Sequence, residues 1–120
     1  MILILGGAWQ GKHSFARRSY QLREEDFFSC ADGNLDFSHR CICGLTDFAR
    51  VHPDPVSRFQ AQRAQWEDCI FIMRDISCGV VPLGEENRQW RHSAGLLAQY
   101  LAQEATQVIR IFCGLEQRLK

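Results

Sequence analysis

The sequence predicts a single α/β domain over residues 1–120, three layers deep, around a mostly parallel sheet of about five strands. The apolar runs Met1-Ile2-Leu3-Ile4-Leu5 and Cys69-Ile70-Phe71-Ile72-Met73 are continuous rather than alternating, as in strands buried on both faces. Helical periodicities separate such runs, so the strands they join run parallel. The first run also ends in a glycine-rich turn that opens onto a helical stretch.

That turn is Gly6-Gly7-Ala8-Trp9-Gln10-Gly11-Lys12-His13-Ser14. Glycines let the backbone take φ > 0 and aim successive N–H groups at an anion, and the helix that follows adds the positive end of its dipole. Gly6, Gly11 and Lys12 stand where G-x-x-x-x-G-K-[ST] requires them. The last position departs from the motif. His13 replaces the Ser or Thr hydroxyl that would ligate Mg²⁺, and Ser14 comes one residue late, a rotation of about 100° on a helix. Residues 6–14 are therefore a candidate phosphate cradle with altered metal placement. The alternative is a tight strand-to-helix turn whose lysine is solvated.

A first helix is expected from Lys12 to about Leu22, with Phe15, Ala16 and Ser19 inward. Asp26-Phe27-Phe28-Ser29-Cys30 is a weaker strand, closed by the turn residues Ala31-Asp32-Gly33-Asn34, and residues 34–39 read as loop. Arg40-Cys41-Ile42-Cys43-Gly44-Leu45 is another short strand, with Thr46 and Asp47 just beyond it. Polar groups at the carboxyl end of such a strand lie where α/β proteins bind ligands. Asp47 is thus a candidate Mg²⁺ ligand, direct or through water, or else a helix N-cap. Asp54 before Pro55 is a cap and first-turn pair for a helix to about Trp66, carrying Phe59, Arg63 and Trp66 on a mixed face.

After the run that ends at Met73, residues 76–84 form a glycine- and proline-punctuated loop, and Glu85-Glu86 favours a helix start. The longest helix then runs to about Glu104 with Trp90, Ala94, Leu97 and Leu101 as its core stripe. Arg88, Arg91 and His92 lie near its beginning, where cations can reach a phosphate or an anionic substrate, or form a solvated patch offset by the two glutamates. Val108-Ile109-Arg110-Ile111-Phe112-Cys113 is the last strand, ended by Gly114.

The 14 basic and 14 acidic residues cancel, which argues against a nucleic-acid stripe or an anionic membrane surface and for small ligands. No run approaches the roughly 18 apolar residues of a membrane span, and no secretory leader is evident, so the expectation is a cytoplasmic protein. Of the six cysteines, Cys41, Cys43, Cys69 and Cys113 sit in apolar strand-like runs, so reduced thiols are expected. His39, Cys41 and Cys43 are zinc-ligand types, with both thiols on one strand face, yet no second paired cluster completes four ligands.

The second half resembles the bifunctional adenosylcobinamide kinase / adenosylcobinamide-phosphate guanylyltransferases of cobalamin biosynthesis. Their strand followed by N-E-V-G-x-G-I-V-P is similar to Arg74-Asp75-Ile76-Ser77-Cys78-Gly79-Val80-Val81-Pro82. Their R-x-[FY]-R-D-x-x-G-x-x-N-Q is similar to Arg88-Gln89-Trp90-Arg91-His92-Ser93-Ala94-Gly95-Leu96-Leu97-Ala98-Gln99, and Cys113-Gly114-Leu115 to their closing S-G-I. The glycine-rich turn resembles G-G-A-R-S-G-K-S. Family members are longer, and their H-x-x-x-R-P-x-x-W stretch with the guanylylated histidine has no counterpart here, since neither His39 nor His52 has that context.

The resemblance implies a P-loop NTPase-like (RecA-like) fold, ATP or GTP as nucleotide, and phosphorylation of a corrinoid alcohol of the cobinamide type. In such a reading Lys12 holds the β- and γ-phosphates, the amides of residues 8–13 cradle them, Asp47 or Asp75 places Mg²⁺ or orients the hydroxyl, and Arg88 and Arg91 offset developing charge. The alternative is a nucleotide-binding or assembly protein that kept the fold without the chemistry. A homotrimer is also implied, with Trp9, Trp66 and Phe112 as large apolar side chains available to it.

Overall fold

The structure, a computed structural model, describes residues 1–76 and 84–120. Strands β1 (Ile2–Gly6), β2 (Phe27–Ser29), β3 (Cys41–Cys43), β4 (Ile70–Arg74), β5 (Gln107–Phe112) and β6 (Leu115–Arg118) form one sheet in the order β2-β3-β4-β1-β5-β6. The first five are mutually parallel, and β6 returns antiparallel to β5. β1 is central, and β4 stands between it and β3, the arrangement of the RecA-like P-loop fold. The sheet has helices on both faces, so the three-layer α/β architecture predicted from the sequence is the observed one.

All five predicted strands are present, and the sixth is a correction. β6 is Leu-Glu-Gln-Arg with every side chain exposed, so no apolar run announces it. It forms because Cys113 and Gly114 both take positive φ, 52° and 75°, a two-residue turn whose twist suits a hairpin. Cys113 is accordingly exposed on that turn rather than packed in the strand.

The helices are α1 (Lys12–Tyr20), α2 (Leu45–Val51), α3 (Pro55–Ala61) and α4 (Glu85–Glu104). α4 matches its expected span. α2 replaces the end of the predicted third strand: β3 stops at Cys43, Gly44 turns the chain at φ 78°, and Leu45 begins a helix. Asp54 caps α3 by accepting the Ser57 N–H at 3.3 Å, as its place before Pro55 implied. That helix ends at Ala61 and continues only as a 3-10 turn at Arg63–Gln65. α1 ends at Tyr20, with Phe15 and Ala16 buried but Ser19 exposed. Among the described residues no helix is long and apolar enough to cross a membrane.

One sheet face carries α2, α3 and α4 over Leu3, Ile42, Phe71 and Met73. The other carries Ile4, Cys41, Ile70, Ile72, Ile109 and Ile111 under Phe15, Ala16 and Leu22. Cys41 and Cys43 both face this second layer, as strand periodicity predicted. No helix joins β2 to β3. Residues 30–40 cross over as a loop, and Phe37 substitutes for a covering helix, its ring 5.7 Å from that of Phe59 and 6.1 Å from that of Phe71. Trp66 belongs to this interior and is fully buried, not a surface aromatic. Its indole N–H donates to the Phe59 carbonyl at 2.8 Å, closing the segment after α3 onto the helix.

Trp66→Phe removes that donor, leaves the Phe59 carbonyl with the Gln62 N–H at 3.2 Å as its remaining donor, and opens a cavity. The expected loss is about 2–4 kcal/mol in chemical denaturation, several times that of the exposed Trp9→Phe measured beside it.

Candidate functional site

Gly6 ends β1 at a point where a side chain cannot exist. A Cβ there would lie 2.6 Å from the Ile111 carbonyl oxygen, so the β1 backbone can lie this close to β5 only as glycine. The chain then turns through two left-handed residues, Trp9 at φ 61° and Gly11 at φ 96°. The first is strained for an aromatic residue, and its ring is 98% exposed. Gln10 pins the loop to the β5–β6 turn: its side-chain oxygen accepts the Cys113 N–H at 2.6 Å and its carbonyl accepts the Gly114 N–H at 2.9 Å.

Lys12 is the first residue of α1 and is buried, unlike an ordinary surface lysine. Its ammonium donates to the Gly7 carbonyl at 2.6 Å, so the side chain folds back beneath the loop. Burial, and then the nearby Arg74 guanidinium, push its pKa below the usual lysine value. His13 stacks on Phe27 with centroids 5.9 Å apart, and burial, then Lys12, then Arg17, hold its pKa below the ordinary histidine value. Ser14 is exposed, and its carbonyl accepts from Arg18 at 3.3 Å.

Arg74 ties the rest of the site together. It lies opposite Gly6 in the β1–β4 ladder, and the next residue, Asp75, donates its N–H to the Gly6 carbonyl at 2.8 Å. The Arg74 carbonyl accepts the Thr46 hydroxyl, and its guanidinium sits 3.4 Å from Asp47 Oδ1. Among the described residues its buried Nε has no hydrogen-bond partner. Trp90 of α4 donates to the Thr46 carbonyl at 2.6 Å, with the Arg50 guanidinium stacked 3.7 Å from its ring centroid.

Asp47 is therefore in the first turn of α2 and held by Arg74, rather than standing alone at a strand end. Asp75 is exposed and, with Arg74, Arg91, Leu5, Met73 and Gly95, borders a pocket of about 270 Å³. Arg88, on the exposed side of α4, does not line it. A wider cleft of about 680 Å³ lies between Arg50, Pro53, Glu86, Trp90 and His92.

The structure thus gathers Lys12, Asp47, Asp75 and Arg91 around the carboxyl ends of β1 and β4, with Arg88 in the first turn of α4. Sequence reasoning missed Arg74 as a site cation, the Thr46 hydroxyl bond to its carbonyl, and Arg50 stacked on Trp90. Trp90 was legible only as a core residue, since helical periodicity carries no sign of its N–H bond. The Ser77 to Pro82 part of the family motif lies outside the described residues. Among the described residues no group of three or more His, Cys, Asp or Glu side chains could hold a metal unaided. Cys41 is buried, with its pKa pushed up to about 12, chiefly by that burial, and His39 stacks on Phe28 with centroids 5.1 Å apart.

A family model described as cobinamide kinase / cobinamide phosphate guanyltransferase matches residues 49–119. That stretch holds Arg74, Asp75, Arg88 and Arg91, whereas the glycine-rich loop and Asp47 precede it. None of the curated proteins matches this chain.

The Lys12 environment sets a sign for pH dependence. A lysine whose folded pKa is lowered binds fewer protons in the native than in the unfolded state between that value and 10.5, so the wild type gains stability as pH rises through this window. Lys12→Met lacks the term. Thermal unfolding of both proteins from neutral pH to about pH 10 should show the wild type gaining on the variant, and parallel curves would mean that the ammonium is not desolvated.

Proposed function

The chain belongs to the cobinamide kinase / cobinamide phosphate guanyltransferase family, and from that premise we propose that it is a nucleotide-dependent kinase, transferring a phosphoryl group from ATP or GTP to the aminopropanol hydroxyl of cobinamide. The observation that carries the reading is the buried Lys12 folded beneath a glycine loop, with a second cation, Arg74, beside it. An anion between them would offset both the desolvation and the repulsion.

Phosphoryl transfer depends mostly on positioning and charge neutralisation. In this reading Lys12 exchanges its Gly7 carbonyl for the β- and γ-phosphates, while backbone amides of residues 8–13 and the α1 N-terminus hold their oxygens. Asp75, at the mouth of the pocket it shares with Arg91, orients the acceptor hydroxyl. Arg74, Arg88 and Arg91 neutralise charge as it develops. Mg²⁺, which supplies further charge neutralisation when bound, would be held mainly by the nucleotide phosphates, with Asp47 or Asp75 reaching it directly or through water. A cytoplasmic homo-oligomer, a trimer by family resemblance, completes the proposal.

One feature favours a second reading, a nucleotide-binding or assembly protein without turnover: His13 in place of the metal-ligating hydroxyl. The missing nucleophilic-histidine stretch bears on guanylyl transfer alone, which is not part of the proposed activity.

Calorimetric titration with ATP and GTP, with and without Mg²⁺, tests the site. Binding lost by at least about tenfold in Lys12→Ala is expected, followed by phosphorylation of cobinamide. Binding without turnover would select the second reading, and no binding to either nucleotide would sink both. His13→Ser restores the hydroxyl and should make nucleotide binding more dependent on Mg²⁺; an unchanged dependence would place the metal's ligands elsewhere.

A further inference from the structure

We propose that Trp9 is the base-binding residue of the phosphate loop: its indole stacks on the purine ring of the nucleotide whose phosphates Lys12 and the loop amides hold. This rests on the nucleotide reading above and assigns the other end of that ligand. Three observations carry it.

The first is that the backbone accounts for the conformation of Trp9 but not for its side chain. A left-handed residue within a glycine loop helps to turn successive N–H groups toward an anion. Glycine or asparagine takes φ 61° at far less cost than an aromatic residue. An indole at this position therefore adds strain, and, at 98% exposure, recovers none of it by packing within the chain.

The second is its place. β4 and β5 flank β1 on opposite sides. Arg74, Asp75 and Arg91 border the pocket on the β4 side, which is where the reacting end of the nucleotide has to lie. The loop beside Trp9 leans the other way, since Gln10 is bound to the Cys113 and Gly114 N–H groups of the β5–β6 turn. A triphosphate laid across the loop with its terminal phosphate toward β4 carries its nucleoside toward that turn, and so to Trp9.

The third is the surface on that side. The turn to which the loop is pinned has Phe112 and Leu115 as its flanking pair, and both are exposed, which gives the plane of a purine further apolar surface to cover. A π-face and two apolar side chains recognise the plane of a base rather than its edge, so adenine and guanine are held alike.

Calorimetric titration of the full chain with ATP, GTP and inorganic tripolyphosphate tests it, on the wild type, Trp9→Asn and Trp9→Tyr. Trp9→Asn keeps the amide at position 9 and tolerates the left-handed backbone. It is expected to weaken ATP and GTP by the same factor, about tenfold or more, while tripolyphosphate, which has no base, changes by less than about twofold. Trp9→Tyr restores a stacking face and should recover most of the loss. Each nucleotide, but not tripolyphosphate, should also shield from acrylamide the part of the fluorescence that Trp9→Asn lacks. The variant should unfold at or above the wild-type temperature and sediment like the wild type. Nucleotide affinities equal in wild type and Trp9→Asn, an equal loss for tripolyphosphate, absent shielding, earlier unfolding, or a smaller assembly that gives the indole to a second copy would each overturn this inference alone. Failure of all three probes to bind the wild type would overturn the nucleotide reading with it.

Discussion

The close approach of β1 to its neighbours at Gly6 is the constraint on which the site depends. With no Cβ, this residue brings its backbone against the Ile111 carbonyl while its own carbonyl accepts the Asp75 N–H, so the ends of β4, β1 and β5 are drawn to one level. The loop that leaves Gly6 must then arch over those ends. Gln10 fastens it to the β5–β6 turn, and Gly11 turns it into α1. Lys12 is carried beneath the arch as a consequence. The position of the ammonium follows from backbone geometry on either side of it and needs no partner side chain to hold it.

From β4 a polar chain runs in the other direction. Arg74 meets Asp47 through its guanidinium and Thr46 through its carbonyl, Thr46 accepts from Trp90, and Trp90 supports Arg50. The chain links β4, α2 and the start of α4 on the helix-rich face of the sheet. It does so in a domain with no helix between β2 and β3. Phe37 fills the space such a helix would cover, while the hydrogen bonds of Thr46 and Trp90 register α2 against α4.

What was legible in the sequence was whatever rests on composition and period. β1 and β4 are continuous apolar runs, α4 repeats Ala94, Leu97 and Leu101 on one face, and the Asp54-Pro55 pair marks the start of α3. The elements that went unread are held by contacts distant in sequence. α2 has only seven residues and starts where a strand pattern was still running, because Gly44 allows a left-handed turn that no apolar count reveals. β6 has no buried residue and exists through its ladder with β5. Trp66 looked like a helix-face residue, but the break after Ala61 swings it into the core. The loop glycines and Lys12 were readable because a motif states their spacing, whereas Arg74 acquires its place only when β4 is set beside β1.

The electrostatics of this corner bear on whether the loop is a relic. A buried ammonium close to a guanidinium destabilises the free fold, and Trp9 adds a left-handed backbone at a residue whose side chain packs against almost nothing. Packing alone would be served as well by an uncharged side chain at position 12, and loop closure as well by glycine at position 9. Asp47 reaches Arg74 at a terminal guanidinium nitrogen, and among the described residues the buried Nε has no hydrogen-bond partner. In the proposed reading the complement of these two cations is a multivalent anion at the carboxyl ends of β1 and β4. A polyphosphate has that charge and the many acceptor oxygens that the loop amides require, which is why the nucleotide reading accounts for features that a purely structural reading leaves as cost.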